Sequence, residues 1–246
     1  MRKLTFTRAL PNFTFNEEDD NSGVVIDGYQ CDFTLNRTFR TGYYNTFAVP
    51  FSVSIDELKQ VMGEETTVKE LTASSLENNR LIMSFDNATS IEAGKPYFVN
   101  VPADVVNPTF KDVIVRNVST TINTNYVNVV PAIGKTLVKG YTGSEDDAQS
   151  VLFLSGGNKF KHPTVVNQPD NEDSYLKGFR AYFQLHDGAT MANISSNLTG
   201  NLTGIVDVRN RMEDGRKDIY DMQGRKVQNP TKKGIYIING KKVVIK

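Results

Sequence analysis

The residue types that most often carry catalysis or bind metals are scarce in this chain. Its 246 residues include two histidines, His162 and His186, and one cysteine, Cys31. Neither histidine has a second histidine or a cysteine at the spacing of a zinc site. Cys31 falls in an alternating strand pattern without a nearby base that would activate its thiol. We therefore expect surface or loop histidines and a buried or half-buried cysteine, with no catalytic residue, metal site or cofactor.

Carboxylates are the next candidates for chemistry, and they cluster at residues 17–20, 145–147 and 170–173. None of the three clusters has the alternating oxygen-ligand spacing of a calcium loop, so we expect solvated loops and leave calcium binding open. A glycosidase needs two carboxylates at a defined separation, and distant strands could bring such a pair together. A glycan-active enzyme is therefore kept as an alternative, although the absence of Trp argues against it.

Tyrosines offer a different chemistry, the stacking of rings on sugars. Tyr43 and Tyr44, with Tyr126 and Tyr141, could form an aromatic platform. A carbohydrate-binding module would expose two or more of these rings on one face, including Tyr43 and Tyr44. Ordinary strand aromatics with their hydroxyl groups in water are the alternative interpretation.

Arg180 lies in the pattern GFRAYFQL, where alternation places Phe179, Ala181 and Phe183 on one face of a strand and Arg180 on the other. If that second face is covered, Arg180 needs a carboxylate or several carbonyl groups, because a buried unpaired guanidinium is costly. The sequence favours structural pairing for Arg180.

The elements that must position these residues are mostly short strands. Between Val24 and Leu185, β-branched and aromatic runs alternate with Gly, Asn, Asp and Pro, which is typical of a β-sandwich or barrel. These runs are VVIDGYQCDFTL, YNTFAVPFSV, RLIMSF, KPYFVNV, DVIVRNV, NYVNVV, SVLFL and FRAYFQL.

One helix interrupts this pattern. Ser54 and Glu57 have the spacing of a capping box, apolar residues follow on one face, and Gly63 supplies a C-terminal stop. We expect this helix to lie on the sandwich and close one end.

The chain divides into three parts by composition. Residues 1–192 form the sandwich, and residues 193–216 read as a polar linker or edge segment. Residues 217–246 form a small C-terminal β unit, in which Asn239-Gly240 between two apolar runs predicts a tight hairpin. From Asp218 to Lys246 this unit has two acidic and seven basic residues, so it is locally basic.

Overall charge and hydropathy exclude several classes of partner. Twenty-eight basic residues balance twenty-eight acidic ones, so no net field attracts nucleic acid. The longest apolar runs, of about five residues, are too short for a transmembrane span. No apolar stretch follows Met1-Arg2-Lys3, so the sequence predicts no export signal within this chain.

The strand motifs and their order resemble those of a β-sandwich module that occurs in large secreted surface proteins of Bacteroidetes. That module is similar to an adhesin. The resemblance covers DFTLNRTFRTGYYNTFAVPFSVSIDELKQVMG, IEAGKPYFVNV, VNPTFKDVIV, SVLFLSGGNKF and LKGFRAYFQL. The module's first motif has an aromatic-Asn-Thr step and an apolar-Pro-Phe step. Here these are Tyr44-Asn45-Thr46, with Tyr in place of the usual Trp, and Val49-Pro50-Phe51.

The C-terminus resembles the sorting tail of the type IX (Por) secretion pathway. The matching residues include Tyr220-Asp221, Arg225, Ile235 and Val243, and the motif residues are Gly224, Gly234, Tyr236, Gly240, Lys241, Lys242 and Lys246. The resemblance implies a small β domain read by the export machinery.

Together these observations predict an all-β protein, mainly an antiparallel β-sandwich with one short helix and a small C-terminal β unit. Its expected function is non-catalytic adhesion or display outside the cell or on its outer surface, with a cell-surface protein or glycan as partner. A spacer role within a larger ectodomain is equally consistent with the sequence. We expect a monomer, because a lysine-rich last strand is a usual protection against edge pairing.

Overall fold

The structure is a computed structural model that describes residues 10–21, 27–138, 149–163 and 175–200, and the strands at 203–205, 219–221, 234–238 and 241–245. The chain divides into two compact units, Met1–Asp207 and Val208–Lys246. One α-helix, α1 (Ile55–Met62), lies among many strands in the described residues. The predicted all-β class with one short helix is confirmed.

The strands of the first half are β1 (Asn12–Asn16), β2 (Gln30–Asn36), β3 (Thr38–Phe39), β4 (Asn45–Phe47), β5 (Val53–Ser54), β6 (Thr67–Glu77), β7 (Arg80–Asn87), β8 (Ser90–Ile91), β9 (Tyr97–Asn100), β10 (Val105–Val106) and β11 (Thr109–Ile114). The later strands are β12 (Ile122–Asn123), β13 (Val127–Ala132), β14 (Thr136–Leu137), β15 (Val151–Ser155), β16 (Lys159–Lys161), β17 (Tyr175–Leu176), β18 (Arg180–Leu185), β19 (Asn193–Ser196), β20 (Thr203–Ile205), β21 (Ile219–Asp221), β22 (Gly234–Ile238) and β23 (Lys241–Ile245). A 3₁₀ turn spans Ala189–Met191.

Three larger sheets form the first unit. Their strand orders are β20-β19-β7-β6-β9-β4, β12-β13-β18-β15-β16 and β1-β2-β11. The described ladders are antiparallel except for the parallel pairs β1–β2 and β19–β7. Three further sheets have two strands each, β3–β10, β5–β8 and β14–β17.

Two hydrophobic clusters lie on opposite sides of β9. Tyr97 and Val99 belong to the first cluster, with the β1-β2-β11 sheet and α1, whereas Phe98 belongs to the second, with the five-stranded sheet. Alternation along a strand sends neighbouring side chains to opposite faces, so β9 is buried on both. In the second cluster, Phe98 stacks on Phe183 with ring centroids 5.4 Å apart.

The helix begins and ends where its local signals predict. The Ser54 hydroxyl accepts a hydrogen bond from the Glu57 backbone N–H at 3.2 Å, and the Glu57 carboxylate accepts one from the Ser54 N–H at 2.8 Å. The helix ends before Gly63, whose φ of 106° few other residues adopt. Leu58 and Met62 are buried in the first cluster, so the helix packs on this part of the fold as expected.

The segment expected to be a linker or edge contributes strands to the six-stranded sheet. Residues 193–196 form β19, which pairs with β7, and residues 203–205 form β20 at the sheet edge. The boundary between the compact units, after Asp207, falls inside the predicted 193–216 segment.

The second unit contains the three-stranded antiparallel sheet β21-β22-β23. Ile238 of β22 pairs with Lys241 of β23, which is the register that a two-residue connection produces. The connecting Asn239-Gly240 pair lies outside the described residues.

Candidate ligand-binding cleft

A polar cleft of about 500 Å³ opens in the first unit between the loop that precedes β4, the turn after β15 and the start of β18. Thr38 and Thr46 also line it, and Leu154 is an apolar member of the lining. We call it the arginine cleft and define it by Glu17, Arg40, Tyr43, Asn45, Ser155 and Arg180.

The side chain of Asn45 fixes the loop that presents Arg40 and Tyr43. Its carbonyl oxygen accepts a hydrogen bond from the Arg40 N–H at 3.1 Å, and its amide donates to the Arg40 carbonyl oxygen at 2.8 Å. Thr41 N–H donates to Asp104 at 2.9 Å, and Arg40 Nη1 lies 2.6 Å from the same carboxylate. These two donors lower the pKa of Asp104, the backbone bond from Thr41 first. These hydrogen bonds restrain the loop, and a restrained loop loses less conformational entropy when a ligand binds.

Glu17 is the ion-pairing centre on the opposite side of the cleft. Its side chain is 14% exposed, and Arg180 Nη2 lies 2.6 Å from its carboxylate. Lys177 Nζ lies 3.8 Å from the second oxygen and also pairs with Glu18. The structural pairing expected for Arg180 is confirmed. Glu17, however, was expected in a solvated loop, and this expectation is wrong because the folded chain encloses it with basic side chains.

Arg37 contacts Glu17 from the protein interior. Its side chain is fully buried, and its Nε lies 3.6 Å from the Glu17 carboxylate. Its Nη1 donates to the Phe179 carbonyl oxygen at 2.5 Å and its Nη2 to the Thr46 carbonyl oxygen at 2.7 Å. Burial, and then repulsion from Arg180, lowers the pKa of Arg37 well below its ordinary value. Arginine nevertheless stays protonated in proteins, so a charge is held inside the fold.

Hydrogen bonds already occupy the outer edge of β4, next to the cleft. Arg37 bonds the Thr46 carbonyl, and the Tyr44 N–H donates to the Asn158 side chain at 2.6 Å. The Ala48 N–H donates to the Phe179 carbonyl at 3.2 Å. The sheet edge at β4 is therefore covered by the turn after β15 and the residue before β18.

The tyrosines predicted as a stacking pair have different environments. Tyr44 is 8% exposed and packs in the second cluster, and its hydroxyl lies 3.3 Å from Thr67 Oγ1. Both tyrosines contribute to the cleft lining, and Tyr43 is half-buried there. Because Tyr44 packs in the core, these two residues do not present two exposed rings. Tyr126 is half-buried against the second cluster, and Tyr141 lies outside the described residues.

No protein-family model, curated protein or solved structure matches this chain. In the described part of the chain, no helix is long and apolar enough to span a membrane. Within that part, too, no group of three or more His, Cys, Asp or Glu residues is arranged to hold a metal ion.

The remaining chemistry-bearing residues lie away from the arginine cleft lining. His162 Nδ1 lies 2.9 Å from the Val151 carbonyl oxygen, and His186 Nδ1 lies 2.6 Å from the neighbouring Asp187 carboxylate. Cys31 is buried at 1% exposure, as its strand pattern predicts. The acidic clusters at 145–147 and 170–173 lie outside the described residues.

The residues predicted to form a sorting tail are partly described. Gly234 and Tyr236 lie in β22, and Lys241 and Lys242 lie in β23. Gly224, Gly240 and Lys246 lie outside the described residues.

A larger groove, of about 850 Å³, lies between α1 and β11. Three of its charged groups already have partners: Glu57 caps the helix, Arg116 lies 3.9 Å from Asp27, and Asp112 accepts a hydrogen bond from the Gln30 side chain. The ladder of β11 is interrupted between Phe110 and Val113, an irregularity that discourages the pairing of another strand. The arginine cleft is the stronger candidate, because it concentrates charge and hydrogen-bonding groups around an ordered loop.

Sequence reasoning missed Glu17, Arg37 and Arg40 as parts of one site. Arg37 and Arg180 are 143 positions apart in the sequence, and Glu17 precedes both. No local periodicity links such residues. The only available signal was the requirement that Arg180 have a carboxylate partner.

Proposed function

We propose that this chain is a non-catalytic recognition module of a secreted or cell-surface protein, which serves adhesion or the display of a larger ectodomain. The observation that supports this proposal is the arginine cleft, in which Asn45 holds Arg40 and Tyr43 in place. Rigid sheets that present ordered loops are a common framework for binding.

The charges in the cleft favour binding over glycan hydrolysis. A glycosidase uses two carboxylates that face each other across the scissile bond. Among the described lining residues, Glu17 is the carboxylate, and it pairs with Arg180 and contacts Arg37. Such a group serves to position arginines rather than to attack a sugar.

A carbohydrate-binding module is the second candidate, and Tyr43 is the observation that favours it. A half-buried aromatic ring beside guanidinium and hydroxyl groups is suited to a sugar, which has both apolar ring faces and hydroxyl groups.

The C-terminal unit is proposed to act as an export or attachment signal read by the secretion machinery. The resemblance of Gly234, Tyr236 and Lys241 to a sorting tail supports this role. The strand β23 lies at the edge of its sheet, where another sheet could pair with it.

Adhesion is tested by coating beads with the purified full chain and measuring their retention under flow on immobilised glycans, mucins and bacterial surfaces. The proposal predicts saturable retention that free protein competes away. A protein retained on none of these surfaces would argue for a spacer.

Export is tested separately in a bacterium that has the type IX pathway. The full chain, preceded by a signal that directs it to the periplasm, is expected to reach the outer surface. Removal of residues 208–246 should leave it in the periplasm, and circular dichroism checks that the shortened chain is folded. Equal surface labelling of both forms would refute the signal role.

A further inference from the structure

The ion pairs around the arginine cleft leave one positive charge uncompensated. Arg37, which is buried and outside the cleft lining, and Arg180, which is part of it, each bear one positive charge, and Glu17 supplies one negative charge between them. The neighbouring pairs Arg40–Asp104 and Lys177–Glu18 are each neutral. One positive charge therefore remains, and a partly buried charge of this kind favours a bound anion.

Two arginines of the cleft are accessible to a ligand, Arg180 with 29% side-chain exposure and Arg40. The Nε atoms of Arg37 and Arg180 have no hydrogen-bond partner among the described residues, but both atoms are buried. Arg40 uses Nη1 for Asp104, and its side chain is 60% exposed beside the cleft. Guanidinium groups bind carboxylates with two parallel hydrogen bonds, which makes them selective for this planar anion.

The backbone next to the cleft argues against an extended peptide as the ligand. A peptide added to a sheet needs free N–H and C=O groups on the edge strand. At β4 the Tyr44 N–H, the Thr46 carbonyl and the Ala48 N–H are already hydrogen-bonded within the fold. A peptide therefore cannot use these groups without breaking internal bonds.

The composition of the lining suits a sugar. Thr38 and Ser155 bring hydroxyl groups, and Tyr43 brings an aromatic ring. Hydroxyl groups match the hydroxyls of a sugar, and the ring can cover an apolar sugar face. A volume of about 500 Å³ lies within the range of small-molecule sites.

We infer that the arginine cleft binds the carboxylate of an acidic sugar, such as a uronic or sialic acid residue within a glycan. Arg40 and Arg180 contact the carboxylate, and Tyr43 covers the sugar ring. This inference deepens the proposed recognition function and rests on it.

The test is an array of uronate- and sialate-containing glycans, each beside its methyl ester, probed with the full chain. Isothermal titration with the best acidic glycan follows. Methyl esterification removes the charge and keeps the rest of the sugar, so it should abolish binding. A tetraglutamate peptide serves as a charged ligand without a sugar, and it should not bind.

Two substitutions in the cleft lining test the inference, and each has a control at a residue of the same type elsewhere. Arg40→Gln should weaken the acidic glycan about tenfold or more, the loss expected for one charge-assisted hydrogen bond. Tyr43→Ala should weaken it by about three- to tenfold. Arg116→Gln and Tyr29→Ala remove an exposed arginine and an exposed tyrosine elsewhere and should change affinity less than about twofold.

Each other outcome overturns the inference. Equal affinity for the acidic glycan and its methyl ester would show that the site binds glycans without recognising the carboxylate. Equal affinity for tetraglutamate and the acidic glycan would show a general attraction of anions. Control variants as damaging as the cleft variants would place the ligand elsewhere. If no glycan on the array binds but coated beads are still retained under flow, the acidic-sugar inference is wrong and the proposed adhesion function stands. If neither the array nor the bead assay shows binding, both are wrong.

Discussion

Arg37 and Phe179, which are 142 positions apart in the sequence, are joined by a hydrogen bond from Arg37 Nη1 to the Phe179 carbonyl oxygen. Phe179 is fully buried and has a φ of 58°, a left-handed conformation that is rare for a bulky residue. Such a conformation costs about 1–3 kcal/mol and persists where surrounding contacts fix it. Arg37 supplies one of those contacts, and it connects the left-handed residue to the edge strand β4 through Thr46.

Replacing Arg37 should destabilise the protein strongly. Arg37→Met removes the donors to two buried carbonyl groups and a charge beside Glu17, and we expect a loss of about 3–5 kcal/mol in the free energy of unfolding. Arg37→Lys should recover only part of this, because one ammonium cannot copy the planar fork of donors. Urea denaturation measures both. Arg116→Gln is the control, and a loss below about 1 kcal/mol for Arg37→Met would contradict the assigned role.

The helix cap should give a pH-dependent contribution to stability. Hydrogen bonds from the Ser54 N–H and then the Ser54 hydroxyl lower the pKa of Glu57 below its ordinary value of 4.5. The contribution is therefore present above pH 4.5 and is lost as pH falls through the lower folded pKa. Glu57 is exposed, so solvent and salt keep its part small.

Ser54→Ala should lower the free energy of unfolding by about 1 kcal/mol at neutral pH. The difference in free energy of unfolding between this variant and the unchanged protein should become smaller in acid. Thermal unfolding at several pH values measures this. Glu57→Gln keeps a capping acceptor but cannot ionise, so it should remove the pH dependence that Glu57 contributes. A Ser54→Ala difference that grows in acid would contradict the interpretation.

Two glycines with the same backbone conformation should respond differently to alanine. Gly94 and Gly157 both have a φ of 74°. A Cβ at Gly157 would have nothing within 4 Å, whereas one at Gly94 would lie 2.7 Å from the Val118 carbonyl carbon. Gly157→Ala should cost about 1–2 kcal/mol from its conformation alone. Gly94→Ala should cost about 1–3 kcal/mol more, because the Val118 backbone must move. Equal losses in chemical denaturation would count against the close approach at Gly94.

Cys31 should react slowly with thiol reagents in the folded protein. Burial, and to a smaller extent the nearby charge of Asp32, raises the pKa of its thiol, so little thiolate is present near neutral pH. Labelling should become fast only where denaturant exposes the first hydrophobic cluster. A labelling rate in buffer close to the rate of the same protein in strong denaturant would show that this cluster opens readily.

The elements defined by neighbouring residues could be predicted from the sequence. The capping box of Ser54 and Glu57 located the helix. The alternation around Arg180 identified the buried face of β18 and the opposite face, on which Arg180 pairs with a carboxylate. Each prediction depends on residues within a few positions of each other, where spacing fixes geometry.

The longest described strand, β6, was not among the predicted strands. Its buried residues are Val68, Leu71 and Ser74, spaced by three instead of two. An irregularity between Leu71 and Ala73, where Thr72 interrupts the pairing with β7, accounts for the step from Leu71 to Ser74. The spacing of three, together with the Lys, Glu and Ala residues of β6, does not match the alternating pattern from which strands are predicted. The arginine cleft could not be predicted either, since its charges come from distant segments that only the folded chain brings together.

The position of β9 between two clusters has a consequence for how the first unit unfolds. Tyr97 and Val99 anchor one cluster and Phe98 the other, all within three successive residues. Neither cluster can lose its packing without exposing one face of this strand to water. The melting of one cluster therefore weakens the other, and the first unit is expected to unfold cooperatively, in a single transition rather than in two steps.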